Sequence, residues 1–150
     1  MSTIYVLIGF PGSGKSTWAK KKATEEEMTI IINRDSIRNM IKDKYVFDSR
    51  YEGLVSNIAY NSMVEALSYN FDVIIDETSL TKKKRSTWRN LEYKFVGVWF
   101  TESEKNVEYR KNDLRGYTPE KWQEIIDSMK KSFEPPEENE FDELIKVNKV

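Results

Sequence analysis

Two hydrophobic patterns alternate along the chain. Continuous apolar runs of strand length stand at residues 3–8 (TIYVLI), 28–33 (MTIIIN), 71–76 (FDVIID) and 93–100 (YKFVGVWF). Such runs, apolar without a polar face, predict strands buried on both sides in a parallel sheet. Helical signals fill the stretches between them. A first helix is predicted over about 16–26, and another runs to about residue 70 with Leu54, Ile58, Ala59, Met63, Ala66 and Leu67 at spacings of three and four, marking them as core. Thr81 suits a helix cap, and a charged helix over about 102–115 is followed by Gly116, which suits a C-cap. Thr118-Pro119-Glu120 opens a further helix with a cap and a proline at its first position, turning Trp122, Ile125, Ile126 and Met129 inward as far as about Phe133. An extended Glu134-Pro135-Pro136-Glu137 connection leads to residues 141–147, whose alternation suits a last strand. There are no repeats, and residues 1–150 read as one α/β domain.

Between the first strand and the first helix lies GFPGSGKST, residues 9–17, which fits G-x-x-x-x-G-K-[ST] throughout. Strand, glycine loop and helix N-terminus form the phosphate cradle of a P-loop NTPase. Gly9, Gly12 and Gly14 let the backbone turn its N–H groups toward phosphate oxygens. Lys15 would place its charge between the β- and γ-phosphates, and the Ser16 hydroxyl would ligate their Mg²⁺.

Charge narrows the partners. With 24 Lys and Arg against 25 Asp and Glu the net charge is −1, so a nucleic-acid site must be a local patch. The chain has neither cysteine nor histidine, which excludes disulfides, thiolate nucleophiles, Ser-His triads and His/Cys zinc sites. General-base work at neutral pH then falls to a carboxylate. The absence of thiols is compatible with a reducing cytoplasm. No apolar run approaches ~20 residues, so no membrane span is expected, and the N-terminus opens into a strand rather than a signal peptide.

Several polar clusters could act at such a site. Asp35, after the second strand, is either a helix N-cap or a base at the carboxyl end of a strand, where α/β sheets bind ligands. The third strand closes on Asp76 and Glu77 in the manner of a Walker B acid, with Asp76 a candidate for the Mg²⁺ shell. Lys20, Lys21 and Lys22 read as a solvated face. The run Lys82-Lys83-Lys84-Arg85 opposes a helix macrodipole and reads as a solvated face or a contact for an anion. Lys44, Tyr45, Phe47, Arg50 and Tyr51 suit either base stacking or a loop pinned by its aromatics. The basic residues around Arg110–Arg115, at a turn late in the chain, have the form of a lid over ATP.

Together GFPGSGKST, NRDSIR at 33–38, IIDETSL at 74–80 and RKNDLRG at 110–116 resemble the kinase domain of phage-type polynucleotide 5′-hydroxyl kinases. The closing FEPPEENEFDELIKV is similar to the end of the kinase domain in animal polynucleotide kinase-phosphatases. The resemblance implies a three-layer P-loop fold with a five-stranded parallel sheet in the order 2-3-1-4-5 and a helical lid. It implies ATP and Mg²⁺ as cofactors and a 5′-hydroxyl end of DNA or RNA as acceptor. Carried over by residue, Gly12, Ser13, Gly14, Lys15, Ser16 and Thr17 hold the donor phosphates with Arg115, while Ser16 and Asp76 hold the metal. Asp35 is the base, Arg38 binds the acceptor's own phosphate, and Glu77 or Asp76 occupies the position of the family's acid. No D-x-D-x-T occurs, so a kinase without a phosphatase is expected. A nucleoside, hydroxymethylated base or other small alcohol is the alternative acceptor, and a nucleotide switch that transfers nothing is the alternative class.

Overall fold

The computed structural model describes residues 1–42, 48–102, 104–113 and 115–148. The apolar runs become five strands: β1 (Thr3–Ile8), β2 (Thr29–Asn33), β3 (Asp72–Asp76), β4 (Lys94–Phe100) and β5 (Glu143–Val147). They form one sheet in the order β2-β3-β1-β4-β5. Every pairing is parallel, with Val6 opposite Ile75 and Gly97, and Asn33 opposite Asp76. The sheet is that of a P-loop kinase fold, in the expected strand order.

Because side chains alternate across a strand, β1 feeds two cores. Ile4, Val6 and Ile8 pack with Ile37 of α2 (Arg34–Lys42) and with Val55, Ala59, Met63 and Leu67 of α3 (Glu52–Ser68). Leu7 faces the opposite side, with Ile74, Val96, Val98 and Ala19 of α1 (Lys15–Glu25). The layers are therefore helix, sheet, helix. On α3 the buried stripe advances four residues at a time through Val55, which leaves Leu54, expected in the core, 52% exposed on the adjacent face.

The expected cap at Thr81 is present: its hydroxyl accepts from the Lys84 N–H, opening α4 (Lys82–Ser86). The four cations of that run diverge. Lys82 pairs with Glu137, Arg85 is fully buried against Glu140 and the Ser79 carbonyl, and Lys84 lines the cleft described below, leaving Lys83 on the outer surface. A single solvated face is thus the wrong description, since Arg85 anchors the chain's C-terminal segment. Lys20 and Lys21 are exposed as expected, while Lys22 sits over the Tyr5 ring.

The charged helix, α5 (Glu104–Lys111), stops well before Gly116. Asp113 is the cause: its carboxylate accepts from the Arg115 N–H, an Asx-type bond that competes with helix continuation. Gly116, at φ +66°, closes the turn from Asp113 rather than capping the helix. The last helix, α6 (Pro119–Ser132), starts on the Thr118 hydroxyl as expected and seats Ile126 and Met129 on Phe10 and Leu80. Of the aromatic loop, Lys44, Tyr45 and Phe47 lie outside the described residues, and Arg50 pairs with Asp48. Among the described residues no helix is long and apolar enough to cross a membrane.

Candidate active site

At the carboxyl ends of β1, β2 and β3 the chain leaves the sheet through Gly9, Asn33 and Asp76, around a cleft of about 1060 Å³. The loop after β1 is tied to the loop after β3 by a bond from the Gly9 N–H to the Thr78 carbonyl (3.0 Å). Two glycines in it are dictated by geometry. Gly12 has φ +80° and a Cβ there would sit 2.9 Å from the Asn106 carbonyl oxygen, so α5 lies directly on the loop backbone. Gly14, at φ +98°, turns the chain into α1, whose first turn carries no acidic side chain. That helix start is open to an anion.

Lys15 is buried. Its ammonium donates to the carbonyls of Gly9 and Phe10 (both 2.9 Å), and Ser13 Oγ stands at 3.4 Å. Burial pulls its pKa down to about 8; Asp76 opposes the shift, whereas Arg110 and Arg115 add to it. Ser16 Oγ donates to Asp76 Oδ2 (2.8 Å), which also accepts from Asn33 Nδ2 (3.1 Å). Hydroxyl and carboxylate are hard oxygen donors, and no cluster of three or more His, Cys, Asp or Glu side chains that could hold a metal exists among the described residues. A sparse donor set of this kind fits Mg²⁺, which keeps waters and substrate phosphates in its shell rather than filling it with protein. Thr17 lines the same cleft.

The opposite wall is built on α2. Asn33 Oδ1 accepts from the Ser36 N–H (3.0 Å), so Asn33, not Asp35, performs the capping. The Asp35 side chain, 46% exposed, accepts instead from Arg38 Nη1 (2.6 Å). The remaining edge of the Arg38 guanidinium meets both oxygens of Glu52, with Nε to Oε2 at 3.0 Å, a two-pronged ion pair that raises the arginine pKa and lowers that of Glu52. Arg34 shares Glu52 and reaches Ser56 (2.9 Å). Glu77 turns away from the phosphate loop toward Arg34 (3.8 Å), and burial raises its pKa. Of the two acids after β3, Asp76 is thus the one at Ser16.

The third wall is the connection from α5 to α6. Arg115 is held two-pronged by Asp113 (2.8 and 3.0 Å), whose pKa it depresses, and its guanidinium lies 5.0 Å from the centre of the Trp122 ring. Arg110 lies near the end of α5. It is buried, donating to the Pro11 carbonyl (2.8 Å) and Glu102 (2.7 Å), and so clamps the phosphate loop. Except for Gly9 and the buried Ser13, the residues expected to hold donor, metal and acceptor therefore line one cleft. Sequence reading misses Asn33, Glu52 and Asp113, residues that hold the others, and for Arg110 it misses the hold on Pro11; only Asn33 carried a signal, an Asn at a strand end immediately before a helix.

A buried loop lysine, a Ser–Asp pair joining the start of α1 to the end of β3, and an arginine on a late connection are the arrangement of a P-loop domain of the kinase fold. The chain belongs to the AAA domain family, whose profile matches residues 4–136. It is 28% identical over 141 residues to the L-seryl-tRNA(Sec) kinase of Methanococcus maripaludis, covering 89% of this chain and 53% of that one. The chain therefore spans about half the length of that curated relative. A chain of the Pnkp1/Rnl/Hen1 complex superposes with a TM-score of 0.65 at 25% identity over 71% of this chain and 38% of its own. A gluconokinase from Sinorhizobium meliloti 1021 gives a TM-score of 0.57 at 18% identity over 98% and 82% of the two chains, a likeness of fold alone. The resemblance to polynucleotide kinases in the motifs thus recurs among the structural neighbours.

Proposed function

We propose that this chain is an ATP-dependent polynucleotide 5′-hydroxyl kinase. The observation that carries the reading is Asp35: relieved of capping by Asn33, it presents a carboxylate beside an arginine in the same cleft as the phosphate loop. A nucleotide switch has no use for that second wall. The acceptor oxygen forms its bond to the γ-phosphorus in line with the breaking bond to the β,γ-bridging oxygen, ADP leaves, and Asp35 takes the hydroxyl proton. Lys15 and Arg115 stabilise the charge on the transferring group. Ser16 and Asp76 would hold Mg²⁺, which when bound neutralises the β- and γ-phosphate oxygens.

The choice of acceptor rests on Arg38, which Glu52 and Asp35 hold at the cleft and whose charge would meet the first phosphate of the strand. The L-seryl-tRNA(Sec) kinase and the Pnkp1 complex support a nucleic-acid acceptor. The near-cancellation of Arg34 and Arg38 by Asp35, Glu52 and Glu77 favours the second reading, a small alcohol. γ-Labelled ATP offered with a 5′-hydroxyl oligonucleotide, a nucleoside 3′-phosphate, a nucleoside and water separates the alternatives. Label is expected in the first two; label in the nucleoside alone selects the small alcohol, and label in inorganic phosphate alone selects the switch.

Two further outcomes are expected. Arg38→Ala should lower the ratio of kcat/KM for a nucleoside 3′-phosphate over the plain nucleoside by roughly 10- to 100-fold, the scale of a lost charge-assisted contact. Arg38→Lys should recover part of it, since an ammonium lacks the fork. An unchanged ratio confines Arg38 to orienting Asp35. The second concerns pH. Folded Lys15 releases its proton near 8, against an ordinary value of 10.5, so between those values the unfolded chain binds the extra proton and Lys15's contribution to stability rises with pH. Activity runs the other way, because only the ammonium serves the phosphates. kcat/KM for ATP should fall with unit slope above about pH 8. A profile flat to about pH 10 contradicts the assignment.

A further inference from the structure

Beyond the reacting groups, α3 presents Glu52, Ser56 and Tyr60 four residues apart, hence on one face, and all three line the cleft. Glu52 and Ser56 are engaged by the arginines of α2. Tyr60, a residue 43% exposed, closes the stripe about 12 Å along the helix axis from Glu52. Its ring stacks on Trp88 (centroids 6.3 Å apart, planes at 29°), and Trp88 is itself buried in the core, so the tyrosine plane is fixed from behind. Lys84 of α4 and Thr87 just after that helix line the same cleft. The cleft thus runs from Arg38 along α3 to the aromatic face of Tyr60.

We infer that Tyr60, backed by Trp88, is a stacking platform for the base of the second nucleotide of the acceptor strand. The inference rests on the proposed polynucleotide activity. With the terminal hydroxyl at Asp35 and the first phosphate at Arg38, two further helical turns along α3 carry the strand beyond the terminal nucleoside, to the next base. A π face accepts any base, so the platform distinguishes a polynucleotide from a mononucleotide without reading sequence. Tyrosine suits the task because a ring already held by packing loses little freedom when a base lands on it.

The experiment compares kcat/KM for three acceptors: a nucleoside 3′-phosphate, a 5′-hydroxyl trinucleotide, and the same trinucleotide with an abasic residue at its second position. The parent should favour the full trinucleotide over the other two by roughly 10- to 100-fold, the range of one stacked base. Tyr60→Ala and Tyr60→Leu should erase that preference and leave the mononucleotide rate near the parent's, while Tyr60→Phe should restore most of it. Leucine keeps the packing and loses the aromatic face, so its grouping with alanine separates stacking from fold, and thermal melting of each variant checks the latter. A parent that treats all three acceptors alike, or a Tyr60→Ala variant that slows all three equally, overturns the platform and leaves the kinase assignment standing. A parent that phosphorylates none of them overturns the kinase assignment, and the platform with it.

Discussion

Lys15→Ala should abolish phosphoryl transfer, with a loss on the order of 10²–10⁴ in turnover. In the proposed reaction the lysine supplies the charge facing the transferring group, and burial would make that charge count for more than it would in water. The same ammonium also ties the Gly9 and Phe10 carbonyls together from inside the loop. Alanine therefore removes a catalytic charge and an internal brace at once, and the two losses must be separated. Lys15→Met fills more of the space while supplying no charge. If both variants melt near the parent and both lose transfer, the charge is responsible. If only alanine loses transfer, the brace is what matters. Turnover within tenfold of the parent in both would remove the loop from the chemistry.

Local spacing explains why the loop at residues 9–17 is legible from the chain alone: the contacts of Lys15 with Gly9, Phe10 and Ser13 lie within a few residues of one another. The strands are legible for a similar reason, since each is an apolar run between polar turns, and their order came from resemblance rather than pattern. What holds α2 and the phosphate loop from outside is different. Arg38 depends on Glu52, fourteen residues away, and Arg110 on Pro11, ninety-nine away. No periodicity connects such pairs, because their encounter is set by how α3 and α5 pack on the sheet and not by spacing. The same reason governs the run at residues 82–85. Four adjacent cations look like one surface, yet a five-residue helix points them in all directions, and Arg85 finds Glu140 only because the last strand returns beside β4. Leu54 went astray by a single residue of helical phase, a displacement that periodicity over a strongly apolar helix does not resolve. Asp113 shows a local rule overriding another: the helical pattern continues past Lys111, but a short carboxylate competes for the backbone and ends the helix.

Asp35→Asn should leave nucleotide binding and melting temperature close to those of the parent and lower turnover on the order of 10²–10⁴. From sequence, the substitution had two opposite meanings, because asparagine caps a helix as well as aspartate does. The cap is now assigned to Asn33, so a helix effect is not expected from Asp35 at all. What remains is the carboxylate's charge and basicity. Its partner Arg38 retains Glu52 on its other edge, so loss of the Asp35 charge does not leave the guanidinium without a counter-ion. Asparagine can still accept from Arg38 Nη1 through its amide oxygen, which preserves the arrangement while removing the proton acceptor. Two companions complete the test. Asp35→Glu keeps a base but displaces it, and should retain more activity than asparagine while falling short of the parent. Asn33→Ala should destabilise the protein by roughly 1 kcal/mol through the lost cap, and should also weaken transfer, because the Asn33 amide holds Asp76. If Asp35→Asn instead turns over at the parent's rate, the proton leaves the acceptor by another route, and the second wall of the cleft is a binding surface without a base.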